Sequence, residues 1–504
     1  MLRKSALIIF LVLTILAVVV ALKDDKRVTT TSNEAYEHYL AGTEWMENFY
    51  FRQAMEELEQ AVKLDSNFAM AQASLAQVYA SRGFTKKFEE MKVTALANRS
   101  FVSHREQLQL DIFKAQWEGR LDEAFTLTQD FLRQFPEDQD ALTTMAYQEF
   151  AREHYEESLA LFQSVLKINP RYAPAFNMIG YLNFYLGRYD EALAMLDKYI
   201  ELSREQANPH DSRGEILHSV GRYEEAIAEF RQAFNINPDF DFATLHMAQS
   251  YQQLGQNDQA DYCYRILFDQ GPAEAKKLQY HIGWAGMLIQ REDYDSARSM
   301  LEVVFREDST GEKNVLGDAC RLLGAIYYRI ENLDSLKLAW ACAREYLDKE
   351  VAKKPQLADD RGILQYRRFM DATEFDLSGR NEDALKVFGE LVTTAMTPEE
   401  KLGYRIYYAN VLRRNNQLDL AISELQKNLS INPNHGKTLL RLADVYETAG
   451  DQASALAYRQ RAVDLWKNAD SDFIPLVKLR EKLESSLASS PRTVDTPSAP
   501  ASNN

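Results

Sequence analysis

From Asn33 to about Phe473, apolar residues recur at three- and four-residue spacing in helix-length segments, separated by short turns containing Gly, Asn or Asp. No run alternates apolar and polar residues as a half-buried strand would, so the pattern predicts an all-α chain. Small residues stand at Ala124, Ser158, Ala192, Ala226 and Ala260, each 34 residues after the last. Pro136, Pro170, Pro238 and Pro272 keep the same frame, twelve residues beyond a small position, where a helix must stop. This period predicts stacked pairs of antiparallel helices. A small residue at each crossing lets two helices approach, while Leu, Phe and Tyr on either side fill the gap. Gly180 and Ala226 stand at such crossings and should admit nothing large.

The wording of the pairs resembles the tetratricopeptide repeat (TPR). First helices read Leu75-Ala76-x-x-Tyr79, Met247-Ala248-x-x-Tyr251 and Leu442-Ala443-x-x-Tyr446, and second helices read Ala226-x3-Phe230-x2-Ala233-x4-Pro238 and Ala260-x3-Tyr264. The resemblance implies a superhelical solenoid whose inner surface binds protein. Twelve units start at residues 35, 69, 105, 139, 173, 207, 241, 278, 317, 365, 402 and 436. About nine fill an array over 35–350; residues 351–364, with Pro355 and a charge cluster, read as extended helices or a break. The remaining three, with a final capping helix over 472–487, complete 365–487, and a Ser-, Ala- and Pro-rich stretch, 488–504, reads as a disordered tail. The first five units further resemble arrays found behind kinase or winged-helix domains in large bacterial signalling proteins. Segments such as NEAYEHYLAG and LDSNFAMAQASLAQVY carry this. No kinase or DNA-binding activity comes with it, because an apolar segment stands where the signalling domain would be.

That segment, Ala6 to Leu22, is an uncharged run of 17 residues flanked by Arg3 and Lys4 before and Lys23, Asp24, Asp25, Lys26 and Arg27 after. At about 1.5 Å per residue it is just long enough to span a bilayer. Residues 1–27 therefore read as a signal anchor and 28–34 as a linker. The expected setting is a single pass through the inner (plasma) membrane, N-terminus in the cytoplasm and the bulk periplasmic. A soluble exported ligand- or peptide-binding protein, cleaved near Ala21, is the alternative.

Composition narrows the partners. The net charge is −17 over 504 residues, with 58 Lys+Arg against 75 Asp+Glu, which disfavours sequence-wide binding to nucleic acid. Three cysteines are too few for a disulfide scaffold. Cys263, Cys320 and Cys342 read as buried small hydrophobes, with Cys320 and Cys342 able to bridge two antiparallel helices in an oxidising compartment. Phosphate-loop, dinucleotide, nucleophile-elbow and zinc-protease motifs are absent from the sequence, and its eight histidines lack metal-ligand spacing. Asp293-Tyr-Asp295 opens like a calcium loop but lacks the glycine and terminal acid that one requires. The expectation is a non-enzymatic scaffold with no cofactor or metal. Its partner is a protein or peptide, and its oligomeric state stays open.

First-helix positions not used for packing are the candidate binding surface. In the units at 139 and 173 these are Tyr147, Phe150, Asn177, Tyr181, Phe184 and Tyr185, the last four at i, i+4, i+7, i+8 spacing on one helical face. Aromatics supply contact area at low entropic cost, and an amide can pair with a peptide backbone. The alternative is that these rings pack between neighbouring first helices. Further along, Arg321, Arg329, Arg413 and Arg414 form a secondary basic patch suited to acidic segments.

Overall fold

The computed structural model describes residues 28–270, 274–308, 315–353, 357–358 and 360–489. The expected membrane span over 6–22 and the tail from 490 lie outside the described residues. Among the described residues no helix is long and apolar enough to cross a membrane.

These residues form twelve helix pairs and a final helix. The pairs are α1 (Asn33–Glu47) with α2 (Phe51–Leu64), α3 (Ala69–Ser81) with α4 (Thr85–Ala97), α5 (His104–Trp117) with α6 (Leu121–Gln134), and α7 (Gln139–Ala151) with α8 (Tyr155–Ile168). Next come α9 (Ala173–Tyr185) with α10 (Tyr189–Leu202), α11 (Ala207–Ser219) with α12 (Tyr223–Ile236), α13 (Asp241–Gln253) with α14 (Asn257–Gln270), and α15 (Glu274–Gln290) with α16 (Tyr294–Glu307). The last four are α17 (Leu316–Arg329) with α18 (Leu333–Lys353), α19 (Arg361–Leu377) with α20 (Asn381–Thr394), α21 (Pro398–Arg414) with α22 (Leu418–Ile431), and α23 (Gly436–Thr448) with α24 (Gln452–Leu465). The final helix, α25 (Ile474–Ser489), brings Leu476 and Leu479 against Trp466 and Leu439 of the last pair.

Each pair turns on one left-handed residue. Gly83, Gly119, Gly187, Gly221, Gly255, Gly379 and Gly450 serve seven repeats, and Phe49, Glu153, Glu292, Glu331 and Asn416 serve the other five, all at positive φ. The turn chemistry visible in the sequence thus marks the seven glycine turns and that of Asn416, while Phe49, Glu153, Glu292 and Glu331 hold the same conformation without it. At the helix crossings the small residues work as expected. Ala226 is fully buried, and a Cβ at Gly214 or Gly324 would run into the ring of Phe230 or Trp340 on the second helix. The cysteines depart from the simpler expectation: Cys320 on α17 and Cys342 on α18 form a disulfide with Cα atoms 5.9 Å apart, while Cys263 is buried and free.

The chain divides into two compact units, residues 1–182 and 183–504, and the stretch 351–364 lies inside the second. In the first unit, residues 28–32 are pinned and do not form a loose linker. Glu106 accepts from the Thr29 backbone N–H at 2.8 Å and its hydroxyl at 2.6 Å. Asp65 accepts from Thr30 Oγ1 at 2.7 Å and from the Thr31 backbone N–H at 2.8 Å, and Val28 is buried.

The second unit curls until its repeats meet across a seam. Asn434 Nδ2 donates to the Gly221 carbonyl at 3.0 Å, and Trp466 Nε1 to the Gln253 carbonyl at 3.0 Å. The Asp470 backbone N–H donates to the Gly255 carbonyl at 3.1 Å, Arg291 pairs with Asp472, and Lys478 pairs with Glu292. The seam keeps the repeat period. The mid-repeat turns at 221, 255 and 291 dock in succession on residues 432–434, 466–470 and 472–478.

Candidate functional site

In the first unit, Tyr147 is 42% exposed and meets the Phe162 ring edge-on at 5.4 Å, and Phe150 packs on Tyr155 at 5.7 Å. Asn177 is buried, with its Oδ1 unpartnered, and Tyr181 is half-buried. In the second unit, Phe184 is buried between Tyr185 at 5.7 Å and Tyr189 at 5.8 Å, and Tyr185 is half-buried. Phe184 is therefore a packed ring and offers little surface, the arrangement in which rings fill space between helices. Of the six, Tyr147 is the one that opens to solvent. Near it Tyr172 Oη donates to Glu47 at 3.0 Å, and burial raises the Glu47 carboxyl to about 7.

The second unit encloses a cavity of about 500 Å³. Its walls come from the first helices of five repeats, with Gly403, Ile406, Tyr407 and Asn410 along one face of α21 and Lys437, Leu440, Arg441 and Asp444 along one face of α23. Tyr328 and Arg329 close it at the end of α17, and Asn257 at the start of α14. The cavity is where inner-surface positions of a curled array converge.

Its wall carries Arg329, Lys437 and Arg441 against Glu292, Glu399 and Asp444. Lys437 is exposed to the cavity, and protein surroundings together with the Arg329 charge push its ammonium down to about 7. Among the described residues neither Lys437 nor Arg329 has an ion-pair or hydrogen-bond partner. Burial holds the Arg441 guanidinium below its usual value, with Arg413 and Arg414 adding to this and Asp444, at 3.4 Å, opposing it. The Nε atoms of Arg413 and Arg441 have no acceptor. Arg414 is neutralised by Asp376 at 2.9 Å and Glu331 at 2.7 Å, and Tyr328 donates to the same Asp376, which together with burial raises the phenol.

Of the secondary patch, Arg329 lines the cavity, and Arg413 and Arg414 sit beside Arg441. Arg321 instead is exposed and pairs with Asp318 at 3.3 Å on its own helix. Sequence reasoning missed Lys437 and Arg441. Their i, i+4 spacing on a first helix was the available signal.

Asp211, Glu215 and His246 each present one atom within 4.8 Å of the others, the kind of set that can hold a metal ion. The geometry fits an imidazolium better. Asp211 Oδ1 lies 3.0 Å from His246 Nδ1 and Glu215 Oε1 lies 3.7 Å from Nε2, so each ring nitrogen serves a different carboxylate. Burial opposes the charge, but the two acids prevail and raise His246 to about 9.

Comparison with known proteins agrees with the geometry of the repeats. Two family models match, described as tetratricopeptide repeat over residues 149–205 and TPR repeat over 214–255. The chain thus carries tetratricopeptide repeats, a class of module that binds other proteins. No curated protein matches the sequence. Among solved structures, TTC0263, a thermophilic TPR protein of Thermus thermophilus, is 22% identical over 37% of this chain and 99% of its own, with a TM-score of 0.32. PilW, a type IV pilus biogenesis factor, is 16% identical over 42% of this chain and 96% of its own, with a TM-score of 0.36. MamA from Desulfovibrio magneticus is 16% identical over 34% of this chain and 96% of its own, with a TM-score of 0.30.

Proposed function

We propose that the chain is a non-enzymatic scaffold, held at a membrane by residues 6–22, whose second unit grips an extended segment of another protein. The observation that carries the binding role is the cavity of about 500 Å³ lined by first-helix faces of five repeats, a volume that suits a short stretch of peptide. Aromatic rings of Tyr328 and Tyr407 and amides of Asn257 and Asn410 on its walls are the groups that such a segment needs. The Cys320–Cys342 disulfide supports an array outside the cytoplasm, in an oxidising compartment.

Site-specific photo-crosslinking in cells tests the binding role. A benzophenone side chain replacing Tyr407 is expected to trap one dominant partner. The same group at Leu338, 73% exposed on α18, should trap none. Equal trapping at both sites, or at neither, would remove the cavity from the proposal. Carbonate extraction of the membrane fraction tests the anchor, and release of the chain with a mature N-terminus at or near Leu22 would favour the exported, soluble alternative.

A further inference from the structure

We infer that the first unit rests on the bilayer surface along its inter-repeat edge, with the Phe101 ring and the Leu64 side chain seated among the lipid headgroups. This rests on the reading of residues 6–22 as a membrane anchor.

Residues 28–32 form a strap across the first two inter-repeat turns. Thr30 and Thr31 bond to Asp65 in one turn, and Thr29 bonds to Glu106 beside the other. Val28 is buried in the same apolar cluster as Phe68 and Val102. The apolar run ends at Leu22, six residues earlier, so at about 3.4 Å per residue its end lies no more than about 20 Å from Val28. A free strap would lengthen that tether to the start of α1 at Asn33, eleven residues and about 37 Å away. The pinned strap therefore keeps this edge, and no other face of the unit, next to the membrane.

What the edge presents suits a lipid surface. Phe101 ends the 3₁₀ helix Arg99–Phe101 and is 73% exposed, more than any other aromatic residue among the described residues. Leu64, 40% exposed, ends α2 immediately before Asp65. Glu106 Oε2 accepts from Thr29 Oγ1 at 2.6 Å and from the Ser103 backbone N–H at 3.0 Å, so the carboxylate that holds the strap also holds the turn that carries Phe101. The other exposed residues of the two turns are Ser66, Asn67, Ser100 and Ser103, all uncharged, and Arg99 is paired with Asp111. The third inter-repeat turn instead exposes Glu137. In a chain of net charge −17, two uncharged turns are where an anionic bilayer surface is met with least repulsion. Phe and Leu side chains enter the boundary between headgroups and acyl chains, and a short tether makes a contact of few side chains sufficient because the encounter is intramolecular.

The test uses the full chain reconstituted in phosphatidylcholine vesicles, with a nitrobenzoxadiazole dye on single introduced cysteines and doxyl-labelled phosphatidylcholine as the quencher. The native cysteines do not compete for the dye, since Cys263 is buried and Cys320 and Cys342 are joined. Phe101→Cys and Ser66→Cys report the edge. Leu121→Cys is the control, 65% exposed at the mid-repeat end of α6, whose 14 residues span about 21 Å. Quenching should be at least about twofold stronger at 66 and 101 than at 121. Adding Leu64→Ser/Phe101→Ser to the Ser66→Cys chain should bring its quenching down to the level at 121, and because both side chains are exposed the core is left intact. Flotation of the chain with the vesicles after a carbonate wash reads the anchor separately. A floating chain quenched equally at 66, 101 and 121, or at none of them, overturns the docking and leaves the anchor standing. Unaltered quenching at 66 in the double Ser variant likewise overturns a contact made through Leu64 and Phe101. A chain that does not float removes the anchor, and the docking falls with it.

Discussion

Asn432 Nδ2 donates to Tyr223 Oη at 3.0 Å, a buried hydrogen bond between residues 209 apart in sequence. A repeat array held by nearest-neighbour stacking alone has no such bond. It turns the second unit from an open stack into a closed turn and gives the cavity fixed walls.

Tyr223→Phe removes the acceptor and strands a buried amide that is only 3% exposed as a residue. The expected cost is about 1–3 kcal/mol in urea denaturation. Because the loss falls at the seam, hydrogen exchange should rise around 221–256 and 432–470 before it rises in α17 or α18. Uniform exchange across the unit would show that the seam is not a cooperative element.

Acid should open the same seam. His218 donates or accepts at Ser250 Oγ at 2.7 Å and lies beside the Tyr223 ring, while His435 meets Thr438 Oγ1 at 2.7 Å. Burial, with the charge of His246, lowers His218 to about 4; burial, with Lys437 and His218, lowers His435 to about 3. Both values lie below the unfolded imidazole at about 6.5, so the unfolded chain takes up protons first. Their stabilising share is complete above that pH and falls away as pH drops from about 6.5 towards 4. His246 runs the other way. Raised to about 9, it supports the fold fully below about 6.5 and ceases to as pH rises through 9. Thermal melts should therefore lose several degrees between pH 6.5 and 4, and His218→Gln/His435→Gln should flatten that fall. An unchanged acid slope in the double variant would assign the loss to carboxylates elsewhere.

The disulfide makes a separate prediction. Cys320 and Cys342 are 22 residues apart, so the link restricts the unfolded chain by about 3 kcal/mol on the loop-entropy argument. Cys342→Ser, or reductant, should lower the urea midpoint of the second unit accordingly. A midpoint insensitive to reductant in the native protein would mean that the thiols are not joined.

Much of the fold was legible because one 34-residue period fixes helix, turn and crossing together. The small residue at Ala226, the turn glycines at 221 and 255 and the rings at Phe230 and Tyr264 all repeat in that frame, and local chemistry alone explains each. What period analysis does not carry is curvature, since that sums small rotations over many repeats. The Asn432–Tyr223 bond, the seam and the cavity follow from curvature, so none was visible. The basic patch was legible in part for the same reason. Arg329, Arg413 and Arg414 were recognisable as inner-surface positions, but only the curl brings Lys437 of the last repeat to Arg329, and it leaves Arg321 paired on its own helix. Of the aromatic stripe, Asn177, Tyr181, Phe184 and Tyr185 all stand on α9, with Asn177 and Phe184 buried. Whether a ring such as Phe184 faces solvent or a neighbour depends on the inter-helix distance, which sequence spacing does not fix.

Turn glycines allow strain and seam to be measured apart. Gly83 has φ +76°, and a Cβ added there would meet no atom within 4 Å, so Gly83→Ala tests the left-handed backbone alone and should cost about 1 kcal/mol. Gly221 has φ +81°, but there a Cβ would collide with the Asn432 side chain. Gly221→Ala should carry the same backbone cost plus overpacking of about 1–3 kcal/mol, with Asn432 forced off the Tyr223 hydroxyl. Phe49 provides the reverse check. It holds φ +63° with its ring 45% exposed, so Phe49→Gly should stabilise the first unit by up to about 1 kcal/mol, less whatever its edge contact with Phe51 contributes. Urea midpoints of the three variants decide the matter: equal losses for Gly83→Ala and Gly221→Ala would mean that the seam yields freely, and a larger loss at Gly221 measures how firmly the turn is closed.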